Sequence, residues 1–317
     1  MLSKMRDTIA ETLRQFFNQA LAWLPIVNAE ERSLASWAIR IKSYADLPTK
    51  YQDFFKPYAT GERPFPYVLR TPSYEGYLHR ASEKLVYVMG EEVYILEASG
   101  DDYKTICYPF ADIAYIETRT VLLDSSIKLS GVTRQGERVA ISFRFNSVTD
   151  HLFIPILNSI RLAGADPQST VQSSELEKFD HWARVNYKFM NYARRSLLAG
   201  ETVFQAILQP KISVKVMQVL GKAYYRTLSP PHATILTDWE LIVIREEQRQ
   251  RGDEYGGLWD FISLDKIAAL ALEGRVDGLL KLTISLPDEE SLAYLFEAAL
   301  KPELEQFLEK FREVKGG

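Results

Sequence analysis

An internal repeat constrains this chain of 317 residues more than any other feature, because it makes the two halves variations on one pattern. The segment 61–69, which reads Gly-Glu-x-x-Phe-x-x-x-Leu, recurs at 200–208. Further matches follow in the same order: 92–96 with 240–244, 108–116 with 262–270, 141–145 with 292–296, and 153–161 with 304–312. The alternative is two unrelated β-rich domains with generic alternation, but it does not explain the shared Gly-Glu segment and the matching final helix. We therefore interpret the chain as a tandem duplication.

Hydrophobic alternation predicts seven short strands in the first half, followed by one helix. The predicted strands are 65–69, 85–88, 93–96, 103–110, 113–121, 126–132 and 138–145. The helix covers 149–163 and places Phe153, Ile156, Leu157 and Ile160 on one face. By the repeat, a second such helix carries Phe307, Leu308 and Phe311.

Helical additions are expected before the first copy and between the copies. Residues 1–24 form one apolar stripe with helical spacing, a second helix begins at Asn28, and a short third helix follows Pro48. The segment 164–173 is typical of a linker. A long helix that starts at Ser173 or Ser174 then carries aromatic residues on several sides, so we expect it to be buried between the two copies.

Both halves resemble the bacterial pleckstrin-homology-like (PH-like) domains, over residues 61–163 and 200–314. The resemblance depends on the Gly-Glu segment, on the Thr-Asp-Trp-Glu-Leu run at 237–241 and on the following strand of Ile-x-x-Ile type. It implies a barrel of seven strands in two nearly orthogonal sheets, which an amphipathic helix closes at one end. It also implies binding or assembly rather than a particular reaction.

The fold class that we predict is therefore α+β, mainly β, with two PH-like barrels of seven strands and a C-terminal helix each. Extra helices lie at the N-terminus and in the linker. The expected division is 1–60 for N-terminal helices, 61–163 for the first PH-like domain, 164–199 for the linker and connecting helix, and 200–317 for the second PH-like domain.

Composition limits the classes of function. The formal net charge of −4 is unlike that of a nucleic-acid-binding protein, which is usually basic overall or on one face. Cys107 is the sole cysteine, so an intrachain disulfide and a cysteine-built metal site are excluded. Charged residues interrupt the N-terminal segment where a secretory signal would need an apolar core, and no apolar run is long enough to span a bilayer. We expect a cytoplasmic protein.

Catalysis has no candidate in the sequence. The four histidines are scattered without the spacing of a metal site, and no nucleophile elbow, P-loop or dinucleotide fingerprint is present. The carboxylate pairs Glu91-Glu92 and Asp101-Asp102 fall at predicted hairpin tips, where solvated turn residues are common. We predict a protein that is not an enzyme and that uses neither a metal nor another cofactor.

The most unusual local composition lies between Glu201 and Asp238, where no acidic residue occurs. This stretch contains the basic residues Lys211, Lys215, Lys222 and Arg226, interleaved with apolar ones. By the resemblance, it connects the first two strands of the second copy, where PH-like folds bind anionic headgroups when they bind them. These four residues are our candidate ligand- or lipid-binding site.

Two interpretations of this basic stretch stay open, and we predict the first, with the second as the alternative. In one it packs on the second domain, and the protein is a scaffold that acts through protein contacts with an unknown partner and through self-association. In the other, apolar side chains flanked by cations attach the protein to anionic lipid headgroups at the inner face of the membrane. The two differ in whether residues 211–226 are packed or exposed.

Overall fold

The computed structural model describes residues 35–75, 80–163, 171–219, 222–247, 256–287 and 290–316. Within these ranges the chain forms nineteen β-strands and five α-helices, so the protein is mainly β. The predicted helix of 1–24, the predicted helix start at Asn28 and most of the predicted linker lie outside the described residues.

The first part of the chain builds an antiparallel sheet. Its elements are Ile39–Ile41 (β1), Thr49–Gln52 (α1), Val68–Thr71 (β2), Tyr74–Glu75 (β3), Arg80–Ala81 (β4), Lys84–Met89 (β5), Glu92–Ser99 (β6) and Asp102–Pro109 (β7). Five of the strands pair in the order β1-β2-β5-β6-β7, while β3 and β4 pair with each other.

This sheet is buried on both faces, which explains why its central strands are almost continuously apolar. In β6, Val93 and Ile95 belong to the largest hydrophobic core. Their neighbours Tyr94 and Leu96 point to the opposite face, where they pack in a second core around Phe55.

Three long strands and a helix complete the first half: Ile113–Val121 (β8), Asp124–Val132 (β9), Arg138–Phe145 (β10) and Ile154–Arg161 (α2). The bounds of β8 and β10 are those that the alternation predicted. Ile156 and Ile160 of α2 are buried in the largest core, with Leu157 partly buried beside them.

The connection between the halves is helical, but it is not the single long helix that the spacing predicted. It consists of Ser173–Glu177 (α3), a 3-10 turn at Asp180–Trp182 and Ala183–Ser196 (α4). Inside α4, Asn186 has φ −157° and ψ 95°, an extended conformation that interrupts the helix. The aromatic residues Trp182 and Phe189 are buried, as expected for a connection packed against the domains.

The second half contains nine strands and a terminal helix. They are Val203–Gln209 (β11), Ile212–Val219 (β12), Lys222–Ser229 (β13), His232–Thr237 (β14), Glu240–Arg245 (β15), Gly257–Ser263 (β16), Ala269–Gly274 (β17), Leu279–Ser285 (β18), Ser291–Glu297 (β19) and Lys301–Gly316 (α5). The strands β17, β18 and β19 form their own sheet. On α5, Leu304, Phe307, Leu308 and Phe311 are buried in a core that they share with this sheet.

One sheet of seven strands runs through both halves in the order β10-β9-β8-β16-β15-β14-β11. Its centre is the antiparallel pair of β8, from the first half, and β16, from the second. We call this pair the seam. Gly256, just before β16, has φ +115°, and a Cβ there would lie 2.5 Å from the carbonyl oxygen of Thr120. The close approach of the two strands at this end of the seam therefore requires glycine.

The predicted fold class is wrong in its architecture, although a mainly β chain is observed. In each half the last three strands precede a helix, β8, β9 and β10 before α2 and β17, β18 and β19 before α5, but the strands of neither half close into a barrel anywhere in the described ranges. The physical reason is the seam: β8 and β16 use their edges to pair with each other, so one sheet spans the two halves. The predicted domain boundaries stay predictions.

The seam places two carboxylates directly opposite each other, Glu117 on β8 and Asp260 on β16. Like charges at such positions destabilise a sheet. Arg245 of β15 lies between them, with its Nη2 atom 2.8 Å from Oδ2 of Asp260 and 3.3 Å from Oε2 of Glu117. Tyr294 donates a further hydrogen bond to Oδ2 of Asp260 over 2.9 Å. Burial raises the pKa of Asp260, while the nearby Arg245 opposes this shift.

A second buried ion pair joins the halves beside the seam. Arg161, the last residue of α2, pairs with Glu240 at the start of β15, and its guanidinium lies 3.9 Å from the ring centre of Phe261. Close to this pair is Glu201, whose side chain is buried and accepts a hydrogen bond from the Leu198 amide over 2.6 Å. Burial, reinforced by the charge of Glu240, raises the pKa of Glu201 to about 8.

We expect Arg245→Met to destabilise the protein by about 3–5 kcal/mol, because it leaves Asp260 buried without its cation and opposite Glu117. The measurement is the free energy of unfolding from denaturant titration. Arg275→Met is the control, since Arg275 pairs with Asp277 at an exposed turn and its loss should have little effect. Equal losses in the two variants would contradict a structural role for Arg245.

We expect Glu201→Gln to change how stability depends on pH. The folded chain holds the Glu201 proton up to about pH 8, whereas the unfolded chain releases it near pH 4.3. The wild type therefore loses stability as the pH rises through this interval, and the loss is complete above it. The variant cannot ionise, so its stability relative to wild type should rise by roughly 3–5 kcal/mol from pH 5 to pH 8.

The measurement for Glu201 is a series of denaturant titrations across this pH interval. Glu309→Gln, on the exposed face of α5, is the control and should run parallel to the wild type. Parallel curves for Glu201→Gln as well would show that Glu201 is already ionised in the folded protein.

Candidate functional site

The basic stretch forms a two-stranded ribbon, β12 and β13, that continues past the end of the seven-stranded sheet. Pairing between β11 and β14 ends at Gln209 and His232, and β12 pairs with β13 from Ile212 and Ser229 onward. The pairing of β14 with its other neighbour, β15, also ends at His232. Within the described residues, β12 and β13 therefore have only each other as sheet partners.

Prolines mark the point where the ribbon leaves the sheet. Pro210 precedes β12, and Pro230 and Pro231 separate β13 from β14. Because proline lacks an amide hydrogen, it cannot continue the ladder of backbone hydrogen bonds. The three prolines are thus a local signal in the sequence for the break between the sheet and the ribbon.

The base of the ribbon is anchored by buried polar side chains. The Gln209 side chain accepts a hydrogen bond from the Glu297 amide over 2.8 Å. Nδ1 of His232 lies 3.1 Å from the Pro230 carbonyl oxygen, and its ring contacts Phe296 with 4.7 Å between ring centres. Burial lowers the pKa of His232 to about 4, so this anchor is neutral at physiological pH.

Beyond the base, large apolar side chains of the ribbon are exposed. The exposed fractions are 40% for Val214, 56% for Val216, 54% for Met217, 52% for Tyr224 and 67% for Tyr225. By contrast, Ile212 at the base is 4% exposed. The packed insertion that we considered from sequence is therefore not what the ribbon forms.

The register divides the ribbon into two faces. Val214 pairs with Arg226 and Met217 with Tyr224, and these four side chains share one face because Val216 lies at a register shift. We call this the apolar face. The opposite face carries Lys215 paired with Tyr225. Alternation alone could not assign these faces, since one extra residue at Val216 reverses the assignment of the rest of β12.

The candidate site residues occupy different parts of the ribbon. Lys211 is exposed at the base, Lys215 lies on the face opposite Arg226, and Lys222 begins β13, with its side chain outside the described part. Lys215 donates a hydrogen bond to Gln218 over 2.6 Å. Among the described residues, no carboxylate lies within ion-pair distance of Lys215 or Arg226, which agrees with the lack of acidic residues between Glu201 and Asp238.

Similarity to known proteins does not identify the chain. It matches no family model, and no curated protein is significantly similar to it. The resemblance to PH-like domains therefore stays a prediction from patterning.

The described helices and acidic, histidine and cysteine side chains limit the type of site. Within the described ranges, no helix combines the length and apolar character that crossing a bilayer requires. In that same part of the chain, no three His, Cys, Asp or Glu side chains cluster so that they could hold a metal ion.

We expect substitutions in the exposed part of the ribbon, beyond its base, to leave the fold intact. Met217→Ser and Tyr225→Ser should each change the free energy of unfolding by less than about 0.5 kcal/mol, because both side chains are exposed. Ile212→Ala, on the same strand but buried, should cost about 2–5 kcal/mol. Denaturant titration measures all three, and a large loss in the serine variants would show that the ribbon packs on the domain.

Proposed function

We propose that this protein is a non-enzymatic binding protein that attaches peripherally to anionic membrane surfaces through the ribbon. The observation that carries the proposal is the exposure of Val214, Val216, Met217, Tyr224 and Tyr225 on a projecting element that has cations but no acidic residue. Exposed apolar groups of this size are costly in water unless a ligand or surface covers them.

The side-chain chemistry of the ribbon suits the boundary between lipid headgroups and acyl chains. Met217 and Val214 can enter the acyl region, while Tyr224 combines an apolar ring with a hydroxyl that stays among the headgroups. Arg226, on the same face, can pair with a lipid phosphate. Each cation near an anionic surface contributes about 1 kcal/mol, so a few cations and a small apolar area give reversible attachment. The location that follows is the inner face of the membrane.

The proposal predicts sedimentation with vesicles of phosphatidylserine and phosphatidylcholine at low salt, and weaker sedimentation at high salt, which screens the lysines and arginine. Replacing Lys211, Lys215, Lys222 and Arg226 by glutamine should abolish binding at both salt concentrations. Met217→Ser with Tyr224→Ser should weaken binding without changing its salt dependence, because only the apolar contribution is lost.

A matched control removes four exposed cations elsewhere, Arg275, Lys301, Lys310 and Arg312, and so changes the net charge equally. This variant should bind like the wild type. Equal loss in the control would show that total charge, and not the ribbon, drives binding. Failure of the wild type to sediment at low salt would contradict membrane attachment.

A second candidate function is a scaffold that binds another protein chain or a second copy of itself. The observation that favours it is that, in the described residues, the outer edges of β12 and β13 have no strand partner, so their backbone groups can pair with an added strand. Light scattering after size-exclusion chromatography tests self-association. Proline at Val214 and Tyr225 should then abolish a dimer that the wild type forms.

A further inference from the structure

A cavity of about 590 Å³ lies beside the seam, and none of its lining residues belongs to the ribbon. Its walls come from α2, the end of α4, the strands β8 and β9, and β16. We call it the junction cavity. Both halves of the chain contribute to it, and its volume is in the range of sites for small molecules.

The walls of the junction cavity are mainly apolar and aromatic. Phe145 and Leu157 line it from the first half, and Trp259 and Phe261 line it from β16. The rings of Trp259 and Tyr192 pack with 4.8 Å between their centres. A Cβ at Gly257 would lie within about 3.0 Å of both rings, so glycine is needed to let this aromatic wall form.

The charged groups around the cavity are unequally neutralised. Arg119 is held by Glu247 and Asp124, and Arg161 is held by Glu240. Arg195, near the end of α4, is exposed and has no carboxylate within ion-pair distance among the described residues.

One acidic side chain lines the cavity, that of Asp150, and burial raises its pKa. Burial raises the pKa of Tyr192, and the charge of the neighbouring Arg195 opposes this shift. An apolar chamber whose edge carries one cation without a carboxylate partner in the described part of the chain selects a ligand that has an apolar body and one negative charge.

We propose that the junction cavity binds a small amphipathic carboxylate, with the apolar body between Leu157 and Trp259 and the carboxylate paired with Arg195. The apolar body gains from each methylene that leaves water, and the bidentate guanidinium–carboxylate pair selects the charge and orientation. This site contains no residue of the ribbon, so ligand binding in the cavity and membrane attachment can be tested separately.

The test uses dodecanoate as the probe, below the concentration at which it forms micelles, and isothermal titration calorimetry with the full chain. The wild type should bind dodecanoate saturably and with a stoichiometry of about one site per chain. Dodecanol, which has the same chain but no charge, should bind at least about tenfold more weakly, because it cannot form the charge-assisted pair.

The decisive variant is Arg195→Gln, and its matched control is Arg184→Gln, an exposed arginine on the same helix but outside the cavity. Arg195→Gln should weaken dodecanoate binding by about tenfold and leave dodecanol binding unchanged, while Arg184→Gln should change neither. No saturable binding by the wild type, or equal affinities in the two variants, would overturn the proposal.

A further experiment distinguishes dodecanoate binding in the junction cavity from dodecanoate binding at the ribbon. The quadruple glutamine variant of the ribbon should bind monomeric dodecanoate like the wild type, whether or not it still sediments with vesicles. If that variant loses dodecanoate binding, the ligand enters at the ribbon and the junction cavity is not the site.

Discussion

Arg245 sits between two carboxylates that the pairing of β8 with β16 forces to face each other. Without this guanidinium, Glu117 and Asp260 would repel across the seam, and Asp260 would be a buried charge without compensation. Because the seam joins the first half of the chain to the second, this contact stabilises the sheet that the two halves share. The buried pair of Arg161 and Glu240 strengthens the same junction from the helix side.

The sheet that contains the seam also positions both candidate sites. Beside it, α2 and α4 leave the junction cavity open between them, with Arg161 and Phe261 in its wall. At one edge of the sheet, the chain continues beyond the paired ends of β11 and β14 as the ribbon of β12 and β13. The sheet thus carries one concave site and one projecting element, and we propose that both are used for binding.

Much of the local structure could be predicted because it depends on near neighbours. Alternating side chains gave the bounds of Ile113–Val121 and Arg138–Phe145, and helical spacing identified the buried faces of α2 and α5. The connecting helix was predicted less well, since the break at Asn186 carries no proline or glycine that would announce it. For the ribbon, composition identified the basic and acid-free stretch, but the register shift at Val216 decided which side chains share a face.

The repeat and the alternation specify which side of each strand is buried, but not which strand lies next to it. Closing each half into its own barrel and joining the halves in one sheet satisfy the same alternation, and they differ in edge pairing between residues far apart in the chain. Tertiary contacts select the second arrangement, in which one sheet joins the halves. Thr120 pairs with Gly257 across the seam, and Arg245 neutralises the charges on both strands. The junction cavity exists only because of that choice, so no pattern within either half could have revealed it.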